Sequence, residues 1–543
     1  MAQERCQQRS CNLSLTRNLD GFVFYWAPQN ATTSDEAPFK LMFRHASKIV
    51  FHASPLLSVP LFVWACFWMC VCPAVAAQDN SAAKPAPQAS GTNAPATNEP
   101  APASTQGASS AADDSDNDDV LTLFPHSQTS RYWISGQANV ILQWHDTFPA
   151  AYSGKNSFQP AAENATSKVY TLYLGYELTK TTEVFLDMES AGGHGLSNAL
   201  GMAGFVNLDV VRNPTLGDVP YVARIMLRQI IPLSSERIEA QRGPFGLATS
   251  LPARRLEFRI GKFSMPDFFD ANSYGTDSHL QFLNWTVDNN GAYDYAANTR
   301  GYTDGAILEY DDHWFSARFG EALMPKVANG LNLDADLTRA RASNLEFEAR
   351  GNRFFGRAGV VRFLSYVNTA NMGNYRLAIE DFLNGQGTVP DIVATRKQGR
   401  HKYGFGLNFE QELTPHVGVF GRVGWSDGRN ESFAYTEVDR TGEIGIFTKG
   451  DKWKRRNDRA GAVFVANAVV AAHQQYLALG GLGFLLGDGA LTYGPEKIFE
   501  GFYTAHVWRG LFASFDLQHV NNPGYNQARG PVFVPGLRFH VDF

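Results

Sequence analysis

The end of the chain alternates strictly between apolar and polar residues. Every second residue from position 537 onward is apolar, and the residues between are charged or titratable: Leu537, Arg538, Phe539, His540, Val541, Asp542 and Phe543. Successive side chains of a β-strand point to opposite faces, so this segment predicts a strand with one apolar and one polar face. A soluble sheet must cover its apolar face with a second layer. In a bilayer that face contacts acyl chains and the polar face lines a water-filled lumen.

The same alternation recurs from position 131 to the end of the chain. About sixteen such segments are present, and single-chain bacterial barrels have an even number of strands. They begin near Trp133, Lys168, Thr182, Tyr221, Arg254, Thr303, Trp314, Ser343, Phe355, His401, Val417, Ala460, Tyr476, Ile498, Leu511 and Val532. Residues 131–543 therefore predict an all-β fold, a transmembrane antiparallel β-barrel of about 16 strands.

The connections between these segments alternate in length. Short ones fall at 179–181, 311–313, 351–353, 414–415 and 508–510, and long ones at 191–220, 264–302, 321–342, 366–400 and 426–459. Outer-membrane barrels have short periplasmic turns and long extracellular loops, so this order predicts a periplasmic N-terminus. One periplasmic connection, 232–253, is too long for a turn and suggests only a short helix or plug. A soluble β-sandwich is the alternative, but it gives no reason for the alternation in length.

The first 130 residues carry a different pattern. Residues 42–77 predict a cleaved signal peptide, with positive residues, an apolar run and small residues before the cleavage site. A single membrane anchor is the alternative, although no basic stop-transfer segment follows. Residues 1–41 are interpreted as an upstream extension from a start codon assigned too early. Residues 78–130 are rich in Ala and Pro, then acidic, and predict a disordered linker.

Cysteine usage and charge exclude several classes of function. All 5 cysteines lie at or before Cys72, so no disulfide, thiolate metal site or cysteine nucleophile is possible in the predicted barrel. The net charge of −6 gives no basis for a nucleic-acid partner. No cofactor site and no metal site are expected. Asp334 and Asp336 could bind calcium, but solvated loop carboxylates are the ordinary interpretation.

The inward-facing positions of the predicted strands carry both signs of charge. They include Arg224, Arg228, Arg259, Arg318, Arg422, Asp187, Glu189, Glu257, Glu309, Glu346 and Glu410. A lining of one sign would favour counter-ions, whereas a mixed lining offers donors and acceptors to neutral hydroxyls. Because compensating charges also keep a lumen solvated, this lining predicts a polar channel strongly and a sugar channel only weakly.

The long connection 264–302 combines aromatic residues with carboxylates and amides. This combination suits a pyranose, whose apolar ring faces stack and whose hydroxyls form hydrogen bonds. Loops this long are usually functional, so we expect it to fold inward as a constriction; an extracellular loop packed on its neighbours is the alternative. The predicted solute pathway comprises Arg224, Arg228, Glu257, Arg259, Lys262, Asp267, Asp270, Asn272, Asp277, Gln281, Asn284, Trp285, Tyr293, Asp294, Arg300, Glu309 and Arg318.

Three stretches of the sequence resemble one known family. They are Gly136 to Ser157 around Gln143-Trp144-His145, Gly261 to Tyr302 around Gln281-Phe282-Leu283-Asn284-Trp285, and Gly487 to Val532 around Asn522-Pro523-Gly524-Tyr525-Asn526. In these residues the chain resembles the carbohydrate-selective outer-membrane porin family (OprB type). The resemblance implies a sixteen-stranded porin for facilitated, energy-independent diffusion of glucose and other mono- or oligosaccharides. It does not imply a particular sugar.

Two other functions compete with this expectation. A general or anion-preferring porin would lack saturable sugar binding. A hydrolase carried by the barrel would need a nucleophile and a base, for which His506 and Ser514 are candidates by residue type alone, and no nucleophile elbow occurs. We expect no enzyme activity. The expected location is the cell outer membrane, and the expected partners are small sugars, outer-membrane lipid and, through the strand ending in Phe543, the barrel-assembly machinery. A homotrimer is one possible assembly.

Overall fold

The alternating segments form sixteen strands that close into one antiparallel barrel. The computed structural model describes residues 121–211, 216–354 and 356–543, without the side chains of 352–354. The predicted upstream extension, the signal peptide and residues 78–120 of the linker lie outside the described residues. The last ten residues of the predicted linker, 121–130, are described and contact the barrel, because the Leu123 N–H donates to the Asp542 carbonyl (2.8 Å).

The barrel strands follow the chain from neighbour to neighbour, and the first pairs with the last. In chain order the strands are β1 (Tyr132–His145), β2 (Glu163–Thr179), β3 (Thr182–Gly193), β4 (Tyr221–Pro232), β5 (Arg237–Glu239), β6 (Ser250–Pro252), β7 (Arg255–Phe263), β8 (Thr303–Asp311), β9 (Phe315–Ala322), β10 (Arg341–Phe354), β11 (Arg357–Met372), β12 (Lys397–Thr414), β13 (Val417–Ser426), β14 (Arg440–Lys449), β15 (Arg459–Ala468), β16 (Glu496–Trp508), β17 (Leu511–Asn521) and β18 (Val532–Asp542). Strands β5 and β6 form a separate two-stranded sheet. Closure places Gln137 opposite Asp542 and Gln143 opposite Gly536.

Helices are few and lie in the connections. They are α1 (Trp285–Asp288), α2 (Tyr375–Leu383) and α3 (Ala471–Ala478), with 3-10 turns at Leu196–Ala199, Met265–Asp267, Val393–Thr395, Gly450–Trp453 and Pro523–Tyr525. Within the described part of the chain, no helix has the length and apolar character needed to cross a membrane.

The two faces of the strands are oriented as the alternation predicts. On β18, Phe533 is 57% exposed on the outside, whereas Arg538 is 1% exposed on the inside. Exposed aromatic residues also mark the ends of the strands: Tyr132, Tyr176, Trp314 and Trp508 lie at the periplasmic end. Such girdles are typical of the membrane–water interface. The outside of the barrel is therefore apolar along the strands, with aromatic residues at one end.

The predicted strand count is correct, but two individual strands were misplaced. Strand β14 lies within the predicted connection 426–459, and the strand predicted near Tyr476 is helix α3. Gly442 and Gly445 occupy alternate faces of β14 and remove side chains from the pattern that identifies a strand. The long periplasmic connection 232–253 contains the β5–β6 pair and no helix in its described residues.

Candidate functional site

The connection 264–302, here called the inward loop, folds into the lumen. Every residue from Leu280 to Thr299 is buried. Two other extracellular connections pack against it: the Trp285 ring stacks on Tyr435, with centroids 5.7 Å apart, and meets Phe205 edge-on at 5.9 Å. The inward loop therefore lies inside the barrel, as the sequence predicts.

Buried polar contacts hold the inward loop against the barrel wall. Arg422 of β13 forms an ion pair with Asp270 (Nε–Oδ2 3.0 Å) and another with Glu443 of β14 (Nη1–Oε1 2.7 Å). The Asp294 carboxylate accepts the backbone N–H groups of Phe433 (2.9 Å) and Ala434 (2.8 Å). These contacts satisfy polar groups that burial would otherwise leave unpaired.

Many residues of the predicted pathway form hydrogen bonds that anchor this loop. Asn272 donates to Asn408 (2.8 Å), the Trp285 indole to the Asn207 carbonyl (2.7 Å), and the Tyr293 hydroxyl to Asn344 (2.9 Å). Gln281 donates to the Ser273 carbonyl (3.0 Å), and Asn284 to Gln518 (2.9 Å). None of these five side chains lines the main cavity of the described residues, and neither do Asp270 and Asp294.

Below the inward loop lies a cavity of about 690 Å³, here called the lumen chamber. Its volume falls within the range of about 300–1,000 Å³ that is usual for small-molecule sites. The predicted pathway residues that line it are Arg228, Glu257, Arg259, Asp277, Glu309 and Arg318. Residues 121–128 and the connection between β4 and β7 border it on the periplasmic side.

One arc of the chamber wall is a continuous series of ion pairs. Arg228 bridges Glu183 (3.0 Å) and Glu257 (2.7 Å). Arg259 continues the series through an ion pair with Glu309 (2.8 Å), and Glu309 forms a second ion pair with Arg318 (2.8 Å). The strand register produces this series, since Glu257 lies opposite Glu309 and Arg228 opposite Arg259 on adjacent inward positions. The charges compensate one another along the wall.

The series extends to residues outside the predicted pathway. Arg255 pairs with Asp311 (2.8 Å), and Arg350 pairs with Glu348 (2.8 Å). Arg362 joins Glu348 (2.8 Å) to Glu410 (3.1 Å). All of them occupy inward positions of their strands, so extending the two-residue period by one step along β7, β8, β10 and β11 could have found them.

Aromatic rings form a different arc of the same chamber. The lining includes Trp133 of β1, Tyr173 of β2, Phe512 of β17 and Phe245 of the β4–β7 connection, whereas the Phe268 ring of the inward loop lies over the Arg259 guanidinium of the ion-pair series. The rings of His279 and His540 stack at 5.5 Å. A solute in the chamber thus meets hydrogen-bonding charges on one side and ring faces on another.

The remaining predicted residues lie around the upper rim of β4 and β7. Arg224 binds Asp267 through two hydrogen bonds of 2.7 Å and thereby ties the start of the inward loop to β4. The Arg300 guanidinium lies over the Tyr221 ring, 3.9 Å from its centroid. These residues stabilise the top of the wall.

Lys262, another residue of the predicted pathway, does not line the lumen chamber. It lies opposite Ile225, an exposed residue of the outer face, and its ammonium donates to the Val222 carbonyl (2.6 Å). The register therefore places Lys262 on the outward-facing side of β7, at its extracellular end.

The geometry gives no support to hydrolysis or metal binding. The Ser514 hydroxyl contacts Thr504 (2.8 Å) and Arg538 (3.1 Å), whereas the His506 ring contacts the Arg509 carbonyl. Asp334 and Asp336 both pair with Arg339, at 3.8 and 3.0 Å. Among the described residues, no group of three or more His, Cys, Asp or Glu side chains could hold a metal ion.

Three solved structures are similar to this chain to different degrees. The high-pH structure of Pseudomonas putida OprB has 16% sequence identity and a TM-score of 0.58, over 76% of this chain and 94% of that chain. The low-pH structure of Pseudomonas putida OprB has 12% identity and a TM-score of 0.41, over 76% of this chain and 92% of that one. Pseudomonas aeruginosa OccK2 (OpdF) has 8% identity and a TM-score of 0.38, over 76% and 97%. The first similarity shows a shared fold.

Sequence comparison identifies the family. No curated protein matches the chain. The family model described as carbohydrate-selective porin, OprB family, matches residues 178–543, which is more than half of the chain and includes every strand from β3 to β18. With its closed polar lumen and exposed apolar exterior, the chain belongs to the carbohydrate-selective porin, OprB family.

Proposed function

We propose that sugars diffuse through this porin by way of the lumen chamber and contact its two arcs in passing. The observation that carries the proposal is the combination of paired charges and aromatic faces around one cavity of about 690 Å³. The proposed contact residues are the chamber-lining members of the predicted pathway: Arg228, Glu257, Arg259, Asp277, Glu309 and Arg318.

The paired charges favour a neutral solute. Because each guanidinium already has carboxylate partners, the wall attracts neither anions nor cations strongly, yet its remaining N–H groups and oxygen lone pairs can bond hydroxyls. The aromatic rings offer apolar surface to the ring face of a sugar. Such contacts replace part of the hydration shell while binding remains weak enough for release, which conduction requires.

The test is sugar block of ion current in planar lipid bilayers. Replacing Arg228, Arg259 or Arg318 by Ala removes a hydrogen-bond donor and one positive charge from the wall, so we expect weaker maltodextrin block and a shift toward cation selectivity. Arg376→Ala is the matched control, because Arg376 is exposed on α2. If maltodextrin blocks the ion current of all three chamber variants as strongly as that of the wild type, the chamber is not the sugar path. Absence of saturable block in the wild type would favour a general porin.

We also propose the surroundings in which the barrel works. Residues 42–77 direct export and are then removed, and residues 78–130 precede a barrel in the outer membrane. The composition of these segments and the exposed apolar exterior support this arrangement. Mass spectrometry of the purified protein tests the cleavage, because a mature chain begins near position 78.

Two assembly partners follow from the same features. The strand that ends at Phe543 is the proposed contact of the barrel-assembly machinery, and outer-membrane lipid is the proposed solvent of the exterior. A homotrimer is proposed by analogy with general porins alone. Chemical cross-linking in native membranes distinguishes a trimer from a monomer.

A further inference from the structure

The β4–β7 connection is a hairpin whose tip enters the barrel from the periplasmic side. Strands β5 and β6 pair from Arg237 opposite Pro252 to Glu239 opposite Ser250. The residues between them turn inward, and positions 239–246 border the lumen chamber. We call residues 237–252 the periplasmic hairpin.

A leucine at the tip is seated in the barrel wall. Leu247 is 1% exposed and packs over Gly175 of β2, where an added Cβ would lie 3.1 Å from the Leu247 Cδ2 atom. Phe185 of β3 borders the same seat. The missing side chain at Gly175 therefore provides the space that Leu247 occupies.

Polar contacts fix the tip beside the ion-pair series. The Leu247 N–H donates to Glu183 (3.1 Å), whose other carboxylate oxygen accepts Arg228 (3.0 Å). At Gly246 an added Cβ would lie only 2.8 Å from the Arg228 Nη1 atom, so the backbone passes directly against the guanidinium. The tip thus rests on the chamber wall itself.

The tip also meets the N-terminal segment across the lumen mouth. Arg242 donates to the Ser130 carbonyl (2.8 Å), and its guanidinium lies 6.0 Å from the centroid of the Trp133 ring. Both the periplasmic hairpin and residues 121–128 line the chamber. Together they narrow the space through which a solute must leave.

We propose that the tip of the periplasmic hairpin, residues 242–247, is a second constriction that limits the size of the sugars passing between the lumen chamber and the periplasm. The inward loop bounds the chamber on the extracellular side, and the hairpin bounds it on the other. This proposal rests on the proposed path of sugars through the chamber. Leu247 is the positioning residue, since it holds the tip in its seat without lining the cavity.

The test removes the tip and leaves the hairpin base in place. Deletion of residues 242–247 joins β5 and β6 through the four remaining residues, a length that hairpins tolerate. Conductance in potassium chloride is measured in planar bilayers, and uptake of maltooligosaccharides of increasing length is measured in vesicles. We expect the conductance to rise on the order of twofold, because the narrowest section governs flow through a water-filled pore, and the largest admitted oligosaccharide to lengthen.

The matched control deletes six residues elsewhere. Residues 384–389 are all exposed in the connection between β11 and β12, so their removal should leave conductance and oligosaccharide uptake unchanged. A point variant, Leu247→Ala, covers the case in which the deletion does not fold. This variant should have a higher conductance and more open-channel noise than the wild type, because the hairpin tip is no longer held against Gly175.

The outcomes separate this proposal from the sugar path. If a folded tip variant keeps wild-type conductance and the same oligosaccharide limit, the second constriction does not exist, whatever the sugar block shows. If conductance rises while the wild type shows no sugar block, the constriction stands and the sugar path through the chamber fails.

Discussion

Two segments enter the same lumen from opposite ends, and they are held there by different forces. The inward loop is fixed by buried charges, among them Asp270 on Arg422 and Asp294 on backbone N–H groups. The tip of the periplasmic hairpin is held by apolar and ring contacts of Leu247 and Phe245 and by hydrogen bonds to Glu183 and to the Ser130 carbonyl. Removing one partner of a buried ion pair leaves an uncompensated charge, whereas an apolar contact loses only its own burial.

This difference separates a fixed narrowing from a movable one. The inward loop has many polar groups that must find new partners if it leaves the lumen, so its displacement is costly. Withdrawal of the hairpin exposes Leu247 and the Phe245 ring and breaks the hydrogen bonds to Glu183 and Ser130. The comparison therefore predicts that the extracellular constriction is rigid and the periplasmic one opens more readily.

The largest effect should come from Arg422. Replacing it with Ala removes its ion pairs with Asp270 and Glu443 and leaves both carboxylates buried, which typically costs about 3–5 kcal/mol. We expect a lower free energy of unfolding in urea titrations in lipid vesicles, together with a higher conductance. Arg376→Ala is the control. An unchanged conductance would show that the inward loop keeps its position without this anchor.

A smaller effect is expected at Leu247. Truncation of a buried leucine to alanine costs about 2–5 kcal/mol, but only the docking of the hairpin should lose this energy. Amide hydrogen exchange should therefore accelerate at positions 240–249 and stay slow at 280–299. Exposed Leu337→Ala is the control. Equal acceleration in both segments would mean that the two constrictions open together.

The inward loop should also respond to pH through Asp288, which lies in α1. Burial is the main cause that raises the pKa of this carboxyl to about 8; nearby Asp277 adds to the rise and Arg422 opposes it. The folded state therefore binds a proton that the unfolded state has already released, so this residue stabilises the fold at low pH and loses that contribution as pH rises toward 8.

The Asp288→Asn variant isolates this contribution. Its free energy of unfolding should fall less between pH 5 and pH 9 than that of the wild type. Asp304→Asn is the control, since Asp304 is exposed. Parallel pH profiles for wild type and Asp288→Asn would show that Asp288 is ionised throughout.

The smallest effect is expected at Lys262. Because Lys262 faces outward, Lys262→Ala should change stability by no more than about 0.5 kcal/mol and leave sugar block unaltered. A loss of maltodextrin block as large as that of Arg228→Ala would mean that Lys262 faces the lumen. That result would contradict the register of β7.

The sequence predicts the barrel better than it predicts the site. The two-residue period identifies most strands because lipid and water demand opposite side chains, and it fails where glycines thin the pattern, as in β14. Inward charges such as Arg228 and Arg259 follow from the same period. The roles of the loop residues do not follow from this period, because an asparagine that anchors a loop and an asparagine that binds a sugar look the same in a sequence. Asn272 and Asn284 differ from sugar-binding residues only in their hydrogen-bond partners, which the tertiary structure determines.

The periplasmic hairpin shows a second limit of prediction from the sequence. Length alone marked the connection 232–253 as unusual, and a plug was one of the two suggestions. Its seat depends on Gly175, which lies more than sixty positions earlier in the chain. No local pattern connects these residues, since the neighbouring strands bring them together only after the barrel has formed.

The pairing of β1 with β18 has a consequence for truncated forms of the chain. Without β18, the backbone donors and acceptors of β1 and β17 that face it have no partners. Nearly all of the lining of the pore would then be present, but the barrel would be open along one seam and lipid would meet unsatisfied peptide groups. Loss of this one strand therefore abolishes the pore as a whole, rather than in proportion to the residues removed.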